Sequence, residues 1–266
     1  MHSFFNSIFG KQSLCTKNRN NFKYFMTSGS AFGVTLNTLL YNMDFTGLGV
    51  FLQVGAAVLL SEVMNKRFKK FAQSVLLLPF FISWVVVGGM LYNLLNYETG
   101  ALNTMLTALG MERMNIMNEP KWWPLIIVAF QAWKQIGYGT VVYLSAITGI
   151  DQEIYEAASI DGAGMMQKVS KITLPNLKPT VITIILLYLG NIIKGDFGMF
   201  YNLTGNNPLL YNVTDIVDTF VYRSLTQTAN IGMSAAAGVY QSVIGFVIIL
   251  SVNTIVKKVQ LDYALF

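Results

Sequence analysis

The stretch DQEIYEAASIDGAG, residues 151–164, is a polar interruption between two long apolar runs. Asp151 is a suitable N-cap for a short helix, because its side chain can accept a hydrogen bond from the first helical amides. Gly162 permits a sharp turn after that helix. Between these two residues, an i, i+3, i+4 spacing predicts one narrow apolar helix face. That face consists of Ile154, Ala157 and Ala158.

A second short helix is expected after the turn, with apolar residues at three-residue spacing. Leu174-Pro175 is expected to stop this helix and to redirect the chain toward the next apolar run, because the residue before a proline disfavours the helical conformation. The pattern therefore predicts a helix–turn–helix bracket with small residues at its bend and carboxylates at Glu156 and Asp161. Such a bracket suits insertion into a cleft of a second protein. The apolar residues of the second helix are Met166, Val169 and Ile172.

Composition places the bracket in a membrane protein. Of the 266 residues, 53% are hydrophobic and 12% are charged, against about 25% charged in soluble domains. The apolar residues form long runs, which favours helical spans over a barrel. One cysteine, Cys15, excludes an internal disulfide, and one histidine, His2, leaves almost no basis for a His/Cys metal site.

Five apolar runs are candidate spans, although the fourth is shorter than the roughly 20 helical residues that a bilayer core requires. The sequence therefore predicts an all-α, polytopic transmembrane helical bundle. Asn37, Asn42 and Asp44 interrupt the first run and Lys134 lies in the third, which suggests a bundle that lines an aqueous path. The runs cover roughly residues 35–60, 72–95, 122–150, 179–193 and 235–256.

The basic residues predict the orientation of these spans. Nine of the eighteen lie in the segments 66–70, 168–178 and 257–258, whereas the loops 96–121 and 196–233 hold three. The positive-inside rule places the first group, and with it the bracket at residues 151–176, in the cytoplasm.

The N-terminal segment, residues 1–31, must then lie outside, although it carries four basic residues and no signal-peptide pattern. We therefore expect that a first transmembrane helix is missing and that residues 32–266 form the transmembrane domain. The alternative is that this tail stays inside and that the first run does not cross fully.

The motif Glu156-Ala157-Ala158-x-x-Asp161-Gly162-Ala163, with Ile172-x-Leu174-Pro175 at its end, resembles the coupling loop of binding-protein-dependent ABC permeases. Val169 departs from the family, which usually has phenylalanine there. Further segments are similar to the polysaccharide or multiple-sugar permeases, whose fold is that of the maltose-permease-like type I importers. Those permeases normally have six spans, and the resemblance covers about residues 21–266. The similar segments are FAQ at 71–73, PFFISWVV at 79–86, WKQIGYG at 133–139 and DIVDTFVYR at 215–223.

The resemblance implies a transport subunit without chemistry of its own in a bacterial inner or plasma membrane. The implied partners are a dimer of ATPase subunits, a second permease that makes a heterodimer, and an external solute-binding protein. ATP and magnesium would be bound by the ATPase, and the chain contains no GxxxxGK[ST] phosphate loop of its own. The residues implied to dock into the ATPase are Glu156, Ala157, Ala158, Asp161, Gly162, Ala163, Ile172, Leu174 and Pro175.

Candidates for a translocation path are less specific. Asp44 and Lys134 are ionisable groups inside predicted spans, where such groups are costly; the alternative is a structural pair. Trp84, Tyr92 and Tyr138 could stack on sugar rings, or they could belong to an interfacial aromatic belt. The resemblance outside the bracket favours carbohydrate, as oligosaccharides or polysaccharide fragments, over amino acids, peptides or ions. An intramembrane enzyme is the rival class, but the sequence offers no converging catalytic groups.

Overall fold

The computed structural model describes residues 22–23, 25–26 and 30–259. Over these ranges the chain is helical and contains no strand, so the predicted all-α class is confirmed. A π-helical turn spans Val169–Thr173, and short 3-10 turns lie at Ile116–Asn118, Pro120–Trp122 and Pro208–Leu210. The helices are α1 (Ser30–Ser61), α2 (Lys66–Phe81), α3 (Trp84–Leu95), α4 (Ala101–Ala108), α5 (Trp123–Thr148), α6 (Gln152–Ile160), α7 (Met165–Lys168), α8 (Leu174–Leu189), α9 (Phe197–Thr204), α10 (Tyr211–Thr214), α11 (Val217–Thr226) and α12 (Ile231–Val259).

Four helices of the described chain are long and apolar enough to cross a membrane, and the sharply bent pair α2 and α3 makes a fifth if it counts as one span. The predicted number of five is reached with that pair. Almost all of the predicted N-terminal segment, residues 1–31, lies outside the described residues. The four single helices are Ala31–Ser61, Pro120–Thr148, Met165–Leu189 and Ile231–Thr254.

The second predicted span is not one continuous helix, which corrects the sequence interpretation. α2 ends at Phe81, Ile82 is extended with φ −75° and ψ 131°, and α3 begins at Trp84. The apolar run continues across the break, and Pro79, three residues before Ile82, is a residue type at which helices kink. Such a break is tolerated at membrane depth only where protein or a water-filled cavity meets the freed backbone groups.

The fourth span is longer than predicted, and Leu174-Pro175 does not stop the helix before it. The helix runs from Met165 to Leu189, and Pro175 lies in the first turn of α8. In a regular helix a proline removes one i to i−4 hydrogen bond and clashes with the carbonyl four residues earlier. The wider π-helical turn that precedes it changes the hydrogen-bond register, so the local proline rule did not apply.

The described residues form two compact units. The first comprises the residues up to 42, 84–124 and 191–251, and the second comprises 43–83, 125–190 and the residues from 252. In the second unit, one buried apolar cluster joins α1, α5 and α8. It consists of Ala57, Leu60, Tyr143, Leu144, Ile147 and Leu177.

Within the first unit, the asparagines of α1 bind non-helical backbone. Asn42 Nδ2 donates to the carbonyls of Ile192 at 2.9 Å and Lys194 at 3.1 Å, in the link between α8 and α9. Backbone groups without partners are costly in an apolar medium. The asparagine that interrupts the first apolar run therefore stabilises a loop.

α1 also binds the end of α10 and the link that follows it. Asn37 Nδ2 donates to the Asp215 carbonyl at 3.1 Å, and the Tyr41 hydroxyl donates to the Val213 carbonyl at 2.8 Å. Asn37 and Tyr41 lie one helical turn apart, so they share one face of α1.

Asn42→Leu should destabilise the protein, because it leaves the carbonyls of Ile192 and Lys194 without this donor, at about 1–2 kcal/mol. Thermal unfolding in detergent measures the effect. Asn93→Leu is the matched control, because exposed Asn93 donates only to Gly89 in its own helix. If both variants melt at the wild-type temperature, α1 does not stabilise the loop in this way.

Candidate functional site

The bracket begins with a capped helix, as predicted. Asp151 is the N-cap of α6, and its Oδ1 accepts a hydrogen bond from the Glu153 amide at 3.0 Å. Glu153 lies in the first helical turn, where a carboxylate interacts favourably with the positive end of the helix dipole. A helix of this length is marginal alone, so these end contacts define where it starts.

Gly162 closes the other end of α6. Its φ of +76° lies in the left-handed region that favours glycine. The Ala163 amide donates to the Ala158 carbonyl at 2.9 Å, and the Gly162 amide donates to the Ser159 carbonyl at 3.1 Å, which is the Schellman pattern. A Cβ at position 162 would meet no atom within 4 Å, so the backbone angle, and not space, requires glycine.

Side-chain hydrogen bonds then join the two arms of the bracket. The Tyr155 hydroxyl and the Thr173 Oγ1 lie 2.9 Å apart, and Lys168 Nζ donates to Ser159 Oγ at 2.7 Å. These bonds connect α6 to α7 and to the π-helical turn. The bracket is therefore braced across its bend and can act as one body.

The sequence-predicted docking residues differ in exposure. Ile160 is the residue that sequence reasoning missed: it is 87% exposed and follows Ala157 at i+3, a spacing that could have identified it. Met166, on the other arm, is 78% exposed. Glu156, Ala157, Asp161, Gly162, Leu174 and Pro175 are exposed, whereas Ala158, Ala163 and Ile172 are half-buried.

Ile160 and Met166 are the most exposed large apolar side chains of the bracket. Neither Glu156 nor Asp161 belongs to an ion pair within the described part of the chain. The bracket thus presents two apolar side chains and two carboxylates on a braced support.

Lys134, a candidate for the path, is bound to backbone in the second unit. It is 7% exposed. Its Nζ donates to the carbonyls of Pro79 at 3.2 Å and Phe80 at 2.8 Å, and also to the carbonyl of Ile82. These carbonyls belong to the last turn of α2 and to its C-cap Ile82, so the ammonium caps the broken helix.

The glycines around Lys134 let α5 approach its neighbours. A Cβ at Gly137 would lie 1.9 Å from the Leu76 carbonyl oxygen, and one at Gly139 would lie 2.0 Å from the Gln53 side chain. Tyr138, between them, stacks on Phe80 with ring centroids 5.0 Å apart and planes at 14°. The segment WKQIGYG thus combines a helix cap, two close-packing positions and an aromatic stack.

Of the other path candidates, Trp84 and Tyr92 belong to the first unit and Asp44 to the second. Trp84 Nε1 donates to Asp196 Oδ2 at 2.7 Å, while Tyr92 is exposed two turns further along α3 and Asp44 is exposed on α1. Lys134 and Tyr138 are one turn apart on α5, and the structure adds Phe80 to them. Phe80, four positions before the predicted Trp84, could have been selected from the sequence as another aromatic candidate. The helix break that positions its ring could not have been located in the same way.

The segment DIVDTFVYR is held by an ion pair. Arg223 donates to both carboxylate oxygens of Asp215, at 3.0 and 2.5 Å, and its guanidinium lies 3.9 Å from the Tyr211 ring centroid. Burial disfavours the charged guanidinium, but the hydrogen bond and the charge of Asp215 outweigh it and raise the pKa of Arg223. The pair borders a cavity of about 310 Å³ in the first unit, within the usual size range of ligand pockets.

Residues 53–261 match the protein family described as binding-protein-dependent transport system inner membrane component. The chain belongs to this family. The permease resemblance and the multi-pass inner-membrane location expected from the sequence are thereby confirmed.

Relatives of this inner membrane component include the polygalacturonan/rhamnogalacturonan transport system permease protein YteP of Bacillus subtilis, which is 33% identical over 76% of the chain and 62% of the relative. The chain thus spans less than two thirds of that relative's length. A solved bacterial ABC transporter involved in the import of the acidic polysaccharide alginate matches with a TM-score of 0.83 and 31% identity, over 91% of this chain and 84% of the other. The alginate transporter in complex with a pentasaccharide-bound periplasmic protein matches with a TM-score of 0.81 and 29% identity, over 97% and 92%.

Gly137→Ala should reduce the yield of folded protein, because its Cβ would overlap the Leu76 carbonyl and overpacking of this kind costs about 1–3 kcal/mol or more. Size-exclusion chromatography in detergent measures the monodisperse fraction. Gly55→Ala, with no atom within 4 Å of the added Cβ, serves as the control in the same unit. Equal yields from the two variants would contradict close packing of α5 on α2.

Proposed function

We propose that this chain is the membrane-spanning subunit of an ATP-driven carbohydrate importer and that its bracket at residues 151–176 receives movement from a separate ATPase. The observation that carries the proposal is the braced bracket, whose apolar tips at Ile160 and Met166 are 87% and 78% exposed. Family membership supports the transport role. The carbohydrate assignment comes from the names of the relatives.

The bracket is suited to transmit force because its two arms are bonded to each other as well as to the spans. α6 follows the end of α5 after three residues, and α7 continues through the π-helical turn into α8. A push on Ile160 would therefore be carried by backbone helices on both sides. The carboxylates of Glu156 and Asp161 would bind basic groups of the ATPase and set the orientation of docking.

Because this chain would only span the membrane and transmit movement, other subunits would bind ATP, deliver the substrate and complete the path. A dimer of ATPases would bind ATP and magnesium, and this chain would hold no cofactor and catalyse no reaction itself. The alginate transporter was solved with a periplasmic protein, which supports delivery by an external binding protein. A second permease would complete the path, as a heterodimer, and would alternate access with this one through differential contacts in two states.

The aromatic stack of Phe80 and Tyr138 is the part of this chain best suited to a sugar path. Tyr138 is half-exposed, so its ring offers an apolar face, while the Gln53 Oε1 atom nearby is buried without a hydrogen-bond partner in the described structure. Aromatic faces and amide groups together suit a ligand with apolar ring faces and hydroxyl edges. Trp84, Tyr92 and Asp44 remain candidates for other parts of the path.

Gly162→Pro should uncouple transport while leaving the protein inserted, because proline cannot adopt the left-handed φ of this position. We expect substrate-stimulated ATPase activity of the reconstituted complex to fall by a factor of about 5–150, the range of typical coupling free energies. Glu156→Lys should act in the same direction by reversing a docking charge.

Gly110→Pro is a matched control, since Gly110 also ends a helix, has φ +74° and has open space around it. Its amide donates to the Thr107 carbonyl at 3.0 Å, as the Gly162 amide does to Ser159. Normal coupling in Gly162→Pro, or equal loss in both variants, would refute the role of the bracket.

The substrate class is tested in liposomes that contain the permease pair, the ATPase and the cognate binding protein. We expect trigalacturonate or the neutral galactotriose to stimulate ATP hydrolysis and to enter the lumen, and we expect a dipeptide, an amino acid mixture and inorganic ions to have no effect. Stimulation by one of the last three alone would contradict the carbohydrate assignment and leave the coupling role intact.

A further inference from the structure

The last carbonyl groups of α2 need hydrogen-bond donors that α2 itself does not provide. The last carbonyls of any helix lack intrahelical donors, and here they lie inside an apolar run of the sequence. Ile82 returns one hydrogen bond, from its amide to the Pro79 carbonyl at 3.2 Å. The remaining acceptor capacity at the break needs a donor from another element.

Lys134 supplies that donor from α5. A lysine ammonium carries three N–H groups and no acceptor, and three backbone carbonyls at the break accept from it, those of Pro79, Phe80 and Ile82. Its positive charge also lies at the negative end of the α2 dipole. The number of acceptors and the charge both match what the break requires.

Phe80 lies in the last turn of α2, directly before the capped break. This residue gives its carbonyl to Lys134 at 2.8 Å and its ring to Tyr138 at 5.0 Å. Lys134 and Tyr138 are separated by one helical turn, with Gly137 between them against the backbone of Leu76. The backbone and the ring of Phe80 are thus both fixed by α5, and the orientation of the stack depends on the cap.

We propose that Lys134 is a positioning residue for substrate transport: its ammonium holds the break between α2 and α3 and thereby orients the Phe80–Tyr138 stack, without contacting the sugar. The proposal rests on the proposed function, because it assigns that stack to the sugar path. It differs from the sequence interpretation of Lys134 as a path-lining charge.

The test combines a local and a functional measurement on the complete transporter in nanodiscs. Hydrogen–deuterium exchange of peptides that cover residues 79–83 reports the break and requires neither ATP nor substrate. In Lys134→Met we expect exchange there to become at least about tenfold faster, since hydrogen bonds from a charged donor are of the stronger class. The KM for the saccharide that stimulates the ATPase should rise in parallel.

Two further variants make the result decisive. Lys134→Arg keeps a charged multiple donor and should restore both the slow exchange and the lower KM, in step. Lys194→Met removes one exposed lysine and should change neither. If Lys134→Met does not assemble, Lys134→Gln, which keeps two N–H donors but no charge, is measured for intermediate exchange and intermediate KM.

Two outcomes would overturn the proposal. A rise in KM with unchanged exchange at residues 79–83 would mean that Lys134 binds substrate directly. Faster exchange with an unchanged KM would mean that the cap is structural only. Because the exchange measurement is independent of transport, failure of the cap can be distinguished from failure of the importer assignment.

Discussion

Hydrogen-bonding of the backbone within an apolar medium is the constraint on which the rest of this structure depends. A continuous helix meets it internally, but the described chain interrupts its helices at several places, two of which lie between α2 and α3 and between α8 and α11. At the first place the ammonium of Lys134 meets the freed carbonyls, and at the second the asparagines of α1 do so. In both cases polar side chains that lower the hydrophobicity of a span stabilise irregular backbone contributed by another part of the chain.

The bracket follows the opposite design. Its turn is closed by its own backbone, through the Schellman hydrogen bonds at Gly162, and its arms are braced by Tyr155 and Lys168. Ile160 and Met166 therefore take no part in holding the loop together and stay exposed. A loop that is stable without its apolar side chains can use them for a partner, at little cost in conformational entropy on docking.

The extent to which sequence predicted the structure follows from the range of the interactions. The existence of the apolar runs, the N-cap at Asp151 and the turn at Gly162 depend on neighbours within a few positions, and each was predictable. The break after Phe81 was not, because its cap comes from Lys134 on another helix. Leu174-Pro175 misled for a related reason, since the local proline rule takes no account of the π-helical turn that precedes it.

An ionisable residue inside a predicted span is usually interpreted as functional, because burying a charge in lipid is costly. Hydrogen bonds to protein backbone can offset this desolvation cost, as hydrogen bonds to a substrate can. Lys134 gives its donors to carbonyls whose own burial would otherwise be unfavourable, so two costly groups satisfy each other. Asp44, which is exposed on α1, has no such relation to a helix end. In the sequence, Lys134 and Asp44 are both ionisable residues inside an apolar run. They differ in the structure because the Lys134 side chain reaches backbone carbonyls that need a donor.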